Sequence, residues 1–183
     1  MDSVEHGSPP QQVAIIGAGV IGAAWAARWL LRGCDVMLYD PSSETPQIVD
    51  EVLGNARYAW ERLGLTPQSE GSLTYAKTLT QAVQNAELIQ ESAPEDLQTK
   101  KFILSEIERS ANQGALIASS TSGLLPTKLQ DEMQHPERLV IGHPFNPVYL
   151  IPMVEVVGGK HTSSESISKA MSFYVHAGMK PLH

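Results

Sequence analysis

Short apolar runs and longer amphipathic runs take turns along this chain. Val13-Ala14-Ile15-Ile16 reads as a buried strand, Val20 to Arg32 as a helix and Val36-Met37-Leu38-Tyr39 as a second strand. A helix is predicted from about Pro46 to Leu63, with Pro46 suited to a first turn and Gly64 to the position after the last. A loop, Thr66 to Ser72, leads to a short strand around Leu73-Thr74-Tyr75. Next come a short helix over Leu79 to Asn85, a strand at Leu88-Ile89-Gln90-Glu91 and a helix over Pro94 to Ser110. Ala115 to Ala118 is a buried-type strand, Pro126 to Met133 a helix and Leu139 to Gly142 another strand. Met153 to Val157 follows as a strand, then a helix from about Ser164 to Ala177 with Thr162 and Glu165 as its capping box. Lys180 to His183 begins one more strand. Alternating strands and helices predict an α/β fold of the doubly wound, Rossmann type, with a mostly parallel sheet and its ligand at the strands' carboxyl ends.

Gly17-Ala18-Gly19-Val20-Ile21-Gly22 lies between the first strand and the first helix, where such a glycine spacing carries meaning. Gly17 allows a tight turn, Gly19 lets a pyrophosphate approach the backbone and Gly22 lets helix and strand pack closely. The first-turn N–H groups, at Val20 and Ile21, then face the phosphates with the positive end of the helix dipole. Asp40 closes the next strand, where a carboxylate accepts from ribose hydroxyls and repels a 2′-phosphate. Pro41-Ser42-Ser43-Glu44 offers no Lys or Arg to hold such a phosphate, so NAD is expected rather than NADP. The other reading of Asp40, a cap on the next helix, is better filled by Ser43 or Thr45. Trp25 and Trp29, four apart on the first helix, read as packing.

Composition narrows the partners. With 183 residues the chain fits one domain, and a net charge of −7 argues against nucleic acid and anionic membranes. No apolar run reaches spanning length. Residues 1–11 are polar, contain Pro9-Pro10 and are expected to be a flexible leader, with residues 12–183 the dinucleotide-binding domain. The single cysteine, Cys34, excludes an internal disulfide, and a reducing, cytoplasmic location is expected. No metal site is expected. A dinucleotide domain alone is an incomplete catalyst, so a fragment of a two-domain enzyme is expected.

Three further patches should meet at the carboxyl edge of the sheet: Ser119-Ser120-Thr121-Ser122-Gly123, His143-Pro144-Phe145-Asn146-Pro147 and Glu155. A histidine there can take a hydroxyl proton while hydride leaves the same carbon. On spacing alone His143 reads either as that base or as a structural histidine, and Ser122 either as a substrate contact or as a cap. Glu155, flanked by Met-Val and Val-Val, needs a partner if buried; paired with His143 it would orient the ring and stabilise imidazolium.

A His-x-Phe-Asn-Pro motif, a following Val-Glu-Val strand and a preceding Ser-x-Thr-Ser turn resemble the 3-hydroxyacyl-CoA dehydrogenase superfamily over residues 12–183. The resemblance implies NAD as cofactor, His143 as catalytic base, Glu155 as its partner and Ser122 as the substrate-binding serine. It also implies that Glu95, Lys100 and Ser120 border the cofactor and that Asn146 meets substrate. A helical second domain, carrying a further asparagine and the homodimer contact, would lie beyond His183. Pro144 and Ser120 depart from the usual His-Phe-Phe-Asn-Pro and Ser-Asn-Thr-Ser, and His-Pro-Phe-Asn-Pro-Val-Tyr-Leu-Ile-Pro resembles the branch that oxidises L-carnitine to 3-dehydrocarnitine. Pro41 to Ala76 contains no Lys and carries Glu44, Asp50, Glu51, Glu61 and Glu70 against Arg57 and Arg62. That balance suits a trimethylammonium ligand better than polyanionic CoA; Phe145 and Tyr149 either help cage the cation or are core or edge packing, packing being the better reading of Phe145. The alternatives are an L-3-hydroxyacyl-CoA dehydrogenase, a gulonate-type relative and, in another class, a non-catalytic NAD-binding or crystallin-like protein.

Overall fold

The computed structural model describes residues 8–67 and 69–183. Most of the expected leader lies outside them. Eight strands form one sheet in the order β3-β2-β1-β4-β5-β6-β7-β8. They are β1 (Gln12–Ile16), β2 (Asp35–Tyr39), β3 (Leu73–Tyr75), β4 (Leu88–Glu91), β5 (Leu116–Ser119), β6 (Leu139–Pro144), β7 (Met153–Gly158) and β8 (Lys180–Leu182). All neighbouring pairs are parallel except β6 with β7, which form an antiparallel hairpin. The doubly wound sheet read from the alternation is therefore present.

Helices cover both faces. On one lie α1 (Val20–Leu31), α2 (Thr45–Arg62) and α6 (Ser164–His176), around Trp25, Trp29, Trp60 and Tyr174. On the other lie α3 (Leu79–Val83), α4 (Leu97–Ser110) and α5 (Pro126–Leu129), around Val83, Leu104, Ile107 and Leu129. Alternation along β1 explains its unbroken apolar run: Val13 and Ile15 feed the first layer, Ala14 and Ile16 the second. Burying each large apolar side chain contributes roughly 1.5–3 kcal/mol. Trp25 and Trp29 are fully buried, as expected of packing residues, and Trp25 stacks on Tyr174 with ring centroids 5.3 Å apart. Cys34 is buried at the start of β2, and burial, helped by Asp35, pushes its thiol up.

Several ends differ from the sequence reading. Helix α2 starts at Thr45 behind Glu44, without a side-chain cap from Ser43 or Thr45; Pro46 presets the first turn instead. Gly64 sits just past its end with φ +67°, as its C′ role requires. Helix α4 begins at Leu97 rather than Pro94, because the Asp96 carboxylate accepts from Thr99 N at 2.8 Å and caps it. Ser163, not Thr162, caps α6, accepting from Ser166 N. The Thr162 hydroxyl instead donates to Leu139 O at 2.6 Å, tying α6 to β6. Helix α5 is one turn, continued by a 3-10 turn over Gln130–Glu132. Among the described residues no helix is long and apolar enough to cross a membrane.

Candidate active site

The strand order reverses between β1 and β4, and a cleft of about 720 Å³ opens there. Gly17, Gly19, Asp40, Ser92, Ala93 and Phe102 are among its lining residues. Each glycine of the turn carries a separate constraint. Gly17 has φ +91°, and a Cβ on it would stand 2.8 Å from the Ser92 carbonyl. A Cβ on Gly22 would stand 1.8 Å from Gly17 O, so the helix approaches the turn as closely as backbone permits. A Cβ on Gly19 would meet nothing within 4 Å and would project into open space instead. Gly19 is the N-cap of α1 without a side-chain cap, which leaves the first-turn N–H groups of Val20 and Ile21 available to a ligand. The arrangement fits a dinucleotide pyrophosphate.

Asp40 stands just past β2 as expected and is not a helix cap. Its Oδ2 accepts from Ala18 N at 2.7 Å and its Oδ1 from Ser42 N at 2.8 Å. The carboxylate thus braces the glycine turn while keeping lone pairs for ribose hydroxyls.

A polar network, buried at Glu91 and Lys100, lies beside the cleft at the ends of β4 and β5. Lys100 donates to Glu91 Oε1 at 2.7 Å and to Ala93 O at 3.0 Å, and both side chains are at most 1% exposed. Lys100 therefore lies beneath the cleft surface rather than on it. Glu95 Oε2 is 3.7 Å from Lys100, while its Oε1 accepts from the Thr121 hydroxyl, Ser122 N at 3.1 Å and Gly123 N at 3.2 Å. Burial works to raise the Glu95 carboxyl, but Thr121, Gly123, Lys100 and Ser122 together hold it below its usual value. Ser120 shares a hydrogen bond of 2.8 Å with Ser92 and accepts from Gln90 Nε2 at 2.8 Å. Gln90 in turn accepts from the Tyr174 hydroxyl at 2.7 Å. Sequence reasoning passed over Gln90 and Glu91; two polar residues ending a central strand of a parallel sheet were the available signal.

His143 and Glu155 face one another across the β6–β7 hairpin. His143 Nδ1 lies 2.9 Å from Glu155 Oε2. Two expectations are corrected. His143 lies within β6 rather than after it, since the strand runs on to Pro144. Glu155 is not buried: its side chain is 48% exposed and that of His143 is 28% exposed. Period-two alternation puts Met153, Glu155 and Val157 on the open face of β7 and Val154 and Val156 inside. The Phe145 ring centroid is 5.9 Å from that of His143 and the side chain is partly open to solvent. Asn146 is exposed beside it. Tyr149 packs against the apolar layer of α1 and α2 and is not part of an open cage. Ser122 is exposed on the loop after β5, and among the described residues no hydrogen bond joins it to His143.

Residues 12–183 match the family description "3-hydroxyacyl-CoA dehydrogenase, NAD binding domain". The L-carnitine dehydrogenase of Mesorhizobium japonicum is 51% identical over 174 residues, covering 93% of this chain and 48% of that protein. The L-carnitine dehydrogenase/betainyl-CoA thioesterase of a Rhizobium species is 49% identical over 170 residues, covering 92% of this chain and 34% of that protein. The crystal structure of 3-hydroxybutyryl-CoA dehydrogenase from Escherichia coli superposes with a TM-score of 0.87 at 28% identity, over 96% of this chain and 38% of that one. The chain thus spans about half or less of each relative's length. A glycine turn braced by Asp40, a His–Glu pair on the neighbouring hairpin and a family match across nearly every residue lead to one assignment: the chain belongs to the 3-hydroxyacyl-CoA dehydrogenase family, as its NAD-binding domain.

Proposed function

We propose that this domain serves an NAD-dependent dehydrogenase that oxidises the 3-hydroxyl of L-carnitine. The observation that carries the reading is the His143–Glu155 pair, 2.9 Å apart on the hairpin beside the dinucleotide half of the sheet. When bound, NAD supplies the hydride acceptor for C3 of the substrate. His143 takes the hydroxyl proton as the C3 carbonyl forms, using the ring nitrogen that Glu155 leaves free. Glu155 fixes the ring through Nδ1 and offsets the imidazolium charge that results. Ser122 and Asn146 contact the substrate, and Glu95, Lys100 and Ser120 shape the cofactor side. The same reading carries a helical second domain, a homodimer and a cytoplasmic location.

Two features favour carnitine over acyl-CoA. The relatives at 49–51% identity are named for carnitine. Within the acidic Pro41 to Ala76 segment, Arg57 is bound by Glu70 at 2.8 and 2.6 Å, which leaves little free positive charge for CoA phosphates. The test is turnover of the full-length protein, followed by reduced-cofactor absorbance. The specificity constant for L-carnitine should exceed that for a 3-hydroxyacyl-CoA; the reverse order overturns the substrate. His143→Gln should lower turnover by roughly 10²–10⁴ and leave NAD affinity unchanged; turnover near wild type would make His143 structural.

A further inference from the structure

Arg28 is a charge in the wrong place for an ordinary helix. It sits on the buried side of α1, 3% exposed, and no carboxylate pairs with it among the described residues. Its guanidinium is satisfied by main-chain carbonyls instead. Nε donates to Ala177 O at 2.7 Å, Nη2 to Gly178 O and Nη1 to Tyr149 O at 3.2 Å. The first two lie at the carboxyl end of α6, where the helix dipole concentrates negative charge. The third lies in the loop of residues 145–152 that joins β6 to β7.

Trp60 of α2 aims a second donor at that same oxygen, with Nε1 2.7 Å from Tyr149 O. The Trp60 ring is itself flanked by guanidinium groups, Arg28 at 5.8 Å and Arg32 at 5.1 Å from its centroid. These cation–π contacts favour the ring's position. The loop's own hydrogen bonds, Leu150 N and Ile151 N to Pro147 O at 2.9 and 2.8 Å, shape it without attaching it to the domain. Attachment comes from the buried Val148 side chain, from the Tyr149 ring packed on the layer of α1 and α2, from Lys180 N on Pro152 O at 2.7 Å, and from Arg28 and Trp60 on Tyr149 O. Two donors on one carbonyl, reached from two helices, exceed what closing a hairpin requires.

We propose that Arg28 and Trp60 are positioning residues for the substrate side of the active site. By gripping Tyr149 O they set the path of the loop that carries Phe145 and Asn146, next to His143. This assignment rests on the functional reading above. It separates the two ligands, because the loop lies on the hairpin side of the sheet while the dinucleotide cleft is lined from β1, β2 and β4.

The test is Trp60→Phe in the full-length protein, which keeps an aromatic ring near the two arginines and deletes the indole N–H together with part of the ring's packing. KM for L-carnitine should rise about three- to tenfold, the range for losing one hydrogen bond, with the Kd for NAD unchanged. Amide hydrogen exchange should quicken over residues 145–151 and stay unchanged in β1 to β5. Arg28→Lys, which keeps the charge but not the fork, should give the same rise in KM, with faster exchange extending from residues 145–151 to the end of α6. Unchanged KM with unchanged exchange overturns the proposal, as does a fall in melting temperature with uniformly faster exchange and unchanged KM. If the wild-type protein does not oxidise L-carnitine, the functional reading falls, and exchange at residues 145–151 alone decides the clamp.

Discussion

Replacing Gly19 by Ala isolates the ligand's share of the glycine turn from the fold's share. Gly19 has φ −65°, a conformation alanine adopts freely, and its added Cβ meets no atom within 4 Å. Folding should therefore change by only about 0.5–1 kcal/mol, the difference between glycine and alanine at an N-cap. The methyl nonetheless projects from the N-cap of α1, where a pyrophosphate approaches the first-turn N–H groups. A hydrogen bond to a charged oxygen is worth roughly 1.5–3 kcal/mol, so losing one weakens NAD about 10- to 150-fold. Gly22→Ala is the contrasting case. Its Cβ starts 1.8 Å from Gly17 O, and roughly 1.5 Å of movement is needed to restore ordinary contact. Overpacking of that kind costs about 1–3 kcal/mol, a fall of roughly 2–12 °C in Tm for a chain of this size. Titration calorimetry with NAD and scanning calorimetry without it read the two quantities. Wild-type NAD affinity in Gly19→Ala, or a loss of Tm matching that of Gly22→Ala, would refute the division of labour.

Asp40→Ala should narrow the preference for NAD over NADP, since the repelling carboxylate is gone; it should also weaken NAD itself, because Ala18 N loses its 2.7 Å acceptor. An unaltered NAD/NADP affinity ratio would exclude Asp40 from the choice. Lys100→Met should cost about 3–5 kcal/mol by stranding the fully buried Glu91, a loss read from denaturant midpoints and partly restored by adding Glu91→Gln. A cost below about 1 kcal/mol would mean the pair is not sealed from water. Gly142→Ala places a Cβ 1.8 Å from the Tyr174 hydroxyl oxygen, and its destabilisation should shrink in a Tyr174→Phe background; equal costs in both backgrounds would deny the contact.

The parts of the site legible in the sequence are those whose constraints are local. Gly17 and Gly22 answer to backbone distances and Gly19 to the space a ligand needs, and their spacing between a strand and a helix makes all three legible. The His143–Glu155 pair was raised by the residue types and implied by the resemblance, but not by spacing, because register across a hairpin is a tertiary fact. The depth of Glu155 was left open by its flanking valines; alternation sends Val154 and Val156 inward and the carboxylate outward. Helix starts were the weakest reading. Pro94 competed with Asp96, and the capping carboxylate won because it satisfies a free N–H while proline only avoids having one. Arg28 and Gln90 escaped notice because their partners are backbone carbonyls and residues far along the chain.

The lone antiparallel pairing in the sheet has a bearing on the order of assembly. β1 cannot complete its hydrogen bonding until β4 has arrived, so the dinucleotide cleft waits on loop closure over nearly half the chain. β6 and β7 are joined by the loop of residues 145–152 alone, so the His143–Glu155 pairing closes over twelve positions of the chain. Proton-handling geometry therefore needs a short loop to close, and cofactor-holding geometry a long one. Lesions that delay the crossover would strip the protein of its cofactor site while leaving the acid–base hairpin able to form.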